Sequence, residues 1–119
     1  QKGLSMEMEL YADVSSVSNS NMKVEMKVEF VNGESVFKSK EDVNGKEKGL
    51  SYIGAAETTI GIGTKANVTV YVMDANKKEY QYGPISLDFA KLSQPLSVKS
   101  KSGTIKIEVR IDKGDFKIK

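Results

Sequence analysis

The sequence predicts an all-β domain, an antiparallel β-sandwich of about eight strands. Three observations lead there. Apolar and polar residues alternate along most of the chain, turn-forming residues interrupt the alternation every few residues, and no long stretch carries apolar residues at helical spacing. The 119 residues read as one domain, 1–119, because two of ordinary size would need a longer chain.

The first strand is read at 5–14. Met6, Met8, Leu10, Ala12 and Val14 share one parity, with Glu7, Glu9, Tyr11 and Asp13 on the other. Successive side chains of a strand point to opposite faces, so one face is dry and one wet. Residues 22–31 repeat this most strongly, with Met22, Val24, Met26, Val28 and Phe30 opposed to Lys23, Glu25, Lys27 and Glu29. The polar stretch 15–21 is read as a hairpin loop pairing Val14 with Met22. That register sets Leu10 beside Met26, Met8 beside Val28, Asp13 beside Lys23 and Glu9 beside Lys27. Asn32-Gly33 suits a two-residue turn, whose central residues need positive φ. The return strand, 34–40, then places Phe37 opposite Val28 on the dry face.

Residues 41–49 read as an exposed charged loop. Short strands follow at 50–53 and 58–62, with a bend or bulge at Gly54-Ala55-Ala56. Residues 67–73 form a strong strand with Val68, Val70 and Val72 on one side. An Asn76-Lys77 turn leads to a return at 79–82, which Gly83-Pro84 breaks before a strand at 85–89. A single helical turn is expected at 89–92 and a short strand at 96–99. After a turn at 101–103, residues 104–111 send Ile105, Ile107, Val109 and Ile111 inward. Lys113-Gly114 turns the chain into 116–118.

Composition removes several chemistries. There is no Cys and no His, which excludes disulfides, thiolate sites, Ser-His-Asp triads and two-His zinc motifs. Eighteen basic and sixteen acidic residues give a net charge of +2, with signs interleaved along the strands. That is the pattern of solvated faces, not of a nucleic-acid footprint. No apolar run is long enough for a membrane-spanning helix. No cofactor is expected. A start at Gln1, explained by processing or trimming, favours an extracytoplasmic protein, secreted or in the cell envelope.

VTVYVMDANK at 68–77, YGPISLDFAKL at 82–92 and GTIKIEVRI at 103–111 resemble the second half of the synaptotagmin-type calcium- and phospholipid-binding sandwich, the C-two family. The resemblance covers residues 68–109 only and implies a C-two-like sandwich; an immunoglobulin-like one is the alternative. Asp13, Asp74 and Asn76 stand where that family keeps calcium ligands. Asn76 is neutral, and Lys77 and Lys78 follow where carboxylates should continue. A hard dication needs six to eight oxygens, several of them charged, so no complete metal site is expected.

Most other constellations have ordinary explanations. Gly61-Ile62-Gly63-Thr64-Lys65 lacks the spacing of a phosphate loop. Met6, Met8, Met22 and Met26 share the dry parity, so they read as core. Tyrosine is more informative. A tight 73–80 hairpin would set Tyr71 beside Tyr82 and Met73 beside Tyr80, on the face opposite Val70. Those four residues are the predicted binding surface, for a protein partner or for self-association. The expected function is therefore non-catalytic binding or structural support. The alternative is a C-two-like domain docking on membrane or protein through its loops, without a complete calcium site; if the tyrosines are not the contact surface, the loops at 15–21, 41–49 and 74–78 are the next candidates.

Overall fold

Eight strands build two four-stranded antiparallel sheets in the computed structural model, which describes residues 4–31, 34–60, 65–88, 96–103 and 105–118. The strands are β1 (Leu4–Asp13), β2 (Asn21–Phe30), β3 (Ser35–Asn44), β4 (Ser51–Ile60), β5 (Lys65–Met73), β6 (Glu79–Asp88), β7 (Leu96–Ser102) and β8 (Ile105–Ile118). One sheet has the order β4-β1-β8-β7 and the other β3-β2-β5-β6. The dry parities meet between the sheets: Met8, Leu10 and Ala12 of β1, Met22 to Phe30 of β2, Val68 to Val72 of β5, and Ile105 to Val109 of β8 share one core. This is the predicted all-β sandwich, and among the described residues no helix is long and apolar enough to cross a membrane.

The pairing of the first two strands differs from expectation. β1 pairs with β4 and β8, and β2 with β3 and β5. β1 and β2 therefore face each other across the core. Alternation identifies a dry face but is the same whether two dry strands lie side by side or opposite one another. The expected cross-strand ion pairs give way to Lys23–Glu25 at 3.2 Å and Lys27–Glu29 at 3.5 Å along the wet face of β2.

A second difference is parity. Phe30 N–H bonds to Glu34 C=O, so three residues lie between them, not a two-residue turn. The strands then pair Val28 with Val36 and Lys27 with Phe37. A one-residue change of register turns every side chain over, and Phe37 sits outside, 55 % exposed. Asp42, at φ 59°, lies in a bulge that restores the inward parity, and Val43 returns to the core opposite Met22.

Several predicted breaks are bulges within continuous strands. β4 runs through Gly54, β6 through Gly83-Pro84, and β8 through Lys113-Gly114, each with a register shift nearby. Residues 41–44, expected in a loop, extend β3. The Asn32-Gly33 turn, the Gly61 to Thr64 segment and the helical turn at 89–92 lie outside the described residues. The registers bring the β1–β2, β3–β4, β5–β6 and β7–β8 connections to one end of the sandwich, since Ala12↔Ser51, Asp13↔Lys106, Asn21↔Asn44, Met73↔Glu79 and Ser102↔Ile105 all lie there.

Candidate functional site

The outer face of the β4-β1-β8-β7 sheet carries the most organised polar cluster among the described residues. Leu10 and Ala12 point into the core, so Glu9, Tyr11 and Asp13 point out. Register places Tyr11 between Tyr52 of β4 and Glu108 of β8, and Glu9 beside Arg110. A bulge on β4 makes this possible. Leu10 pairs with Gly54 and Tyr11 with Tyr52, so Ile53 is the extra residue. Ile53 drops into the core while Tyr52 comes out, 44 % exposed. Re-aiming a side chain in this way is what a bulge does.

The cluster is mutually locked. The Tyr11 and Tyr52 rings meet edge to face with centroids 5.6 Å apart, a geometry the ring quadrupoles favour. The Arg110 guanidinium lies over the Tyr11 ring at 4.2 Å, a cation–π contact. Its Nε donates to Glu108 Oε2 at 2.7 Å, and the Tyr11 hydroxyl donates to Glu9 Oε1 at 3.2 Å. Glu108 is buried although it stands on the solvent face, its side chain 5 % exposed against 47 % for Arg110. The Glu108 hydrogen bond, above all, raises the Arg110 pKa, whereas burial first, then the Glu9 charge, raises that of Tyr11. Tyr11 is thus engaged at its ring by Arg110 and Tyr52 and at its hydroxyl by Glu9. Tyr52 and Arg110 both remain substantially exposed to solvent.

The predicted tyrosine surface does not form. β5 and β6 pair Val72 with Tyr80, Tyr71 with Gln81 and Val70 with Tyr82. Tyr80 and Tyr82 therefore share the valine face and pack, partly buried, against the core. Tyr71 and Met73 lie on the outer face, in a shallow depression with Lys23, Glu25 and Glu79. The cause is the turn. Asp74 N–H bonds to Lys78 C=O and Lys77 N–H to Asp74 C=O, with Lys77 at φ 63°. This is a three-residue loop ending in a left-handed residue, one residue longer than an Asn76-Lys77 turn.

Asp13, Asp74 and Asn76 lie at the loop end of the sandwich, and both carboxylates are engaged by loop residues, Asp74 by its own hairpin and Asp13 by its own loop and the β3–β4 connection. Asp13 Oδ1 accepts from Ser15 N–H at 3.1 Å and Ser15 Oγ at 2.7 Å, and Oδ2 accepts from Gly49 N–H at 3.2 Å. Asp74 Oδ1 accepts from Asn76 N–H at 2.9 Å and Lys78 N–H at 3.0 Å, with the Tyr80 hydroxyl 3.5 Å from Oδ2. Burial alone would raise the Asp13 pKa, but the Ser15 and Gly49 hydrogen bonds and the Lys106 charge outweigh it and hold it below the usual value. A depressed carboxylate contributes stability that is present above its unfolded pKa, about 3.9, and lost as pH falls through the folded value. Thermal melts taken from about pH 6 down to 2 should therefore show a steeper acid loss for the wild type than for Asp13→Asn. Parallel curves would show that this carboxylate is not what acid disrupts.

Neither a family model nor a curated protein matches the chain. Function has to be read from the side chains themselves. Tyr11, Tyr52, Glu108 and Arg110 were not among the residues predicted from sequence, yet one signal was available. Arg110 is the only arginine beside seventeen lysines. A planar guanidinium is not replaceable by lysine where stacking and an oriented hydrogen bond are both required.

Proposed function

We propose that this chain is a non-catalytic, extracytoplasmic interaction domain, and that a protein partner contacts it through the Tyr52–Tyr11–Arg110 face. The observation that carries this reading is the single arginine, stacked on Tyr11, tethered to a buried carboxylate and still about half exposed. Tyrosine and arginine dominate binding energy at protein interfaces. Fixing both before contact removes much of the ordering entropy that association otherwise opposes.

A second reading, the C-two-like docking domain, is favoured by the loop end. Lys46, Lys48, Lys77 and Lys78 are exposed there, and Leu50 is 39 % exposed. Each lysine near an anionic bilayer contributes about 1 kcal/mol of attraction, screened by salt.

One experiment separates the two. The photoreactive residue p-benzoylphenylalanine is placed at Tyr52, at Ser39 on the outer face of the other sheet, or at Lys77, and irradiated in source cells. The first reading expects a discrete protein adduct from position 52 alone, lost in Arg110→Lys, which keeps the charge but not the planar fork. Adducts only from position 77, with co-sedimentation on anionic phospholipid vesicles that high salt reverses, would replace it with the second. An adduct only from position 39 would defeat both.

A further inference from the structure

The two outer sheet faces arrange their charges differently. On the β3-β2-β5-β6 sheet opposite signs pair along β2, Lys23 with Glu25 and Lys27 with Glu29. On the β4-β1-β8-β7 sheet the signs separate across the strands. Glu9 and Asp13 of β1 stand beside Arg110 and Lys106 of β8. The row between them runs Tyr52, Tyr11, Glu108, Lys99, from β4 to β7. Glu108 is buried in this row and already holds Arg110, while Tyr52 and Lys99 are exposed at its two ends. The β4–β1 side therefore presents acid and tyrosine, and the β8–β7 side presents cations.

A face divided in this way is complementary to itself. We propose that its partner is a second copy of the chain, packed face to face about a two-fold axis running along the strands between β1 and β8. The proposal rests on the reading that the Tyr52–Tyr11–Arg110 face is the contact surface, and it names what meets that face. Such an axis exchanges β1 with β8 and β4 with β7 and keeps each row in place. It sets Glu9 against the partner's Arg110, Asp13 against the partner's Lys106, and Tyr52 against the partner's Lys99, each twice. Exposed ion pairs contribute little singly, so the charges fix the orientation of the two copies. Tyr52 supplies the apolar contact and a ring for the lysine cation.

Other axes through the face bring like charges together. An axis along β1 lays Glu9 on the partner's Glu9, and one along β8 lays Arg110 on the partner's Arg110. An axis across the strands through the Glu9–Arg110 row does both. Through the Tyr11–Glu108 row it sets Glu9 against the partner's Asp13 and Arg110 against the partner's Lys106. Between those two rows it sets Glu7 against the partner's Asp13. Like charges placed opposite each other are destabilising. On the axis between β1 and β8, Glu7 alone of these residues meets a like charge, the partner's Asp112, at the end away from the loops.

That exception makes the axis testable. Sedimentation velocity on the whole chain, across micromolar to submillimolar concentration, should show a monomer passing to a dimer. Glu7→Lys should move this transition to lower concentration. Lys99→Glu sets a carboxylate against the partner's Tyr52 at two symmetric places and should return the protein to monomer. In the purified chain, p-benzoylphenylalanine at Tyr52 should give an adduct of twice the chain's mass, attached within 97–101 on β7. The same probe at Ser39 should give none. The adduct decides the matter if Lys99→Glu fails to fold. A dimer that folded Lys99→Glu leaves unchanged, one that Glu7→Lys weakens, or an adduct attached outside β7 would overturn the proposal. So would a purified chain that stays monomeric and gives no self-adduct. If position 52 then captures a different protein in source cells, the contact face stands with another occupant; if it captures nothing, that reading falls too.

Discussion

Phe30→Ala is expected to lower the unfolding free energy by about 3–5 kcal/mol, the range for a core phenylalanine. Phe30 ends β2, a strand flanked on both sides by β3 and β5, and is 4 % exposed. Its partner on β5 is Ala66, also buried. The small alanine leaves room for the ring and has nothing with which to fill the cavity once the ring is gone. Natural domains hold only about 5–15 kcal/mol in total, so the loss is a large fraction of the whole. Urea unfolding measures it as a lower midpoint with an unchanged slope. Phe37→Ala is the informative partner. With 55 % of Phe37 exposed, its truncation should fall within about 0.5 kcal/mol. Had the strand turned at Asn32-Gly33 alone, Phe37 would face the core and the two losses would be similar. A large loss for Phe37→Ala would therefore contradict the pairing of Lys27 with Phe37.

Those two phenylalanines mark where sequence reading succeeds and where it stops. Alternation along one strand is a local property, and it correctly sends Met8, Leu10, Ala12, Val24, Met26, Val28, Ile105 and Ile107 inward. Register between strands depends on the loop, where one residue decides the face of everything beyond it. Phe37 and the pair Tyr80/Tyr82 are misplaced for the same reason: each hairpin loop is one residue longer than the shortest turn. At Lys77 the residue type gives no warning, because a left-handed conformation is expected of Gly or Asn, not Lys. Bulges hide the rest. Residues 52 and 54 have the same parity, yet Tyr52 pairs outside with Tyr11 and Gly54 inside with Leu10. The outward parity of Tyr11 and the lone Arg110 were legible. Their meeting was not, because it depends on β1 lying beside β8, which no local pattern encodes.

Gly45→Ala is expected to cost about 2–3 kcal/mol or more, lowering the melting temperature by roughly 10 °C. Gly45 opens the β3–β4 connection and is buried. Its N–H donates to Ser20 C=O at 3.0 Å, holding this connection against the β1–β2 loop. A Cβ there would collide with Ser18 O and lie 2.7 Å from Ser20 O and 2.8 Å from Met22 Cε. Met22 can yield by rotating its side chain, but the two carbonyls belong to the backbone and can yield only by moving the loop. The Asp13 hydrogen bonds to Ser15 and Gly49 tie the same two loops from the other side, so that movement is opposed. Amide exchange should accelerate in 14–20 and 44–50 before it does in β5 or β8, since local opening releases the loops without unfolding the core. Gly49→Ala separates crowding from backbone strain. Gly49 sits at φ 107° with no atom within 4 Å of its Cβ position, so its replacement should cost only the left-handed strain, about 1–2 kcal/mol. If Gly45→Ala proves no worse than Gly49→Ala, the Ser18 and Ser20 carbonyls swing aside freely, and the two loops are not clamped together.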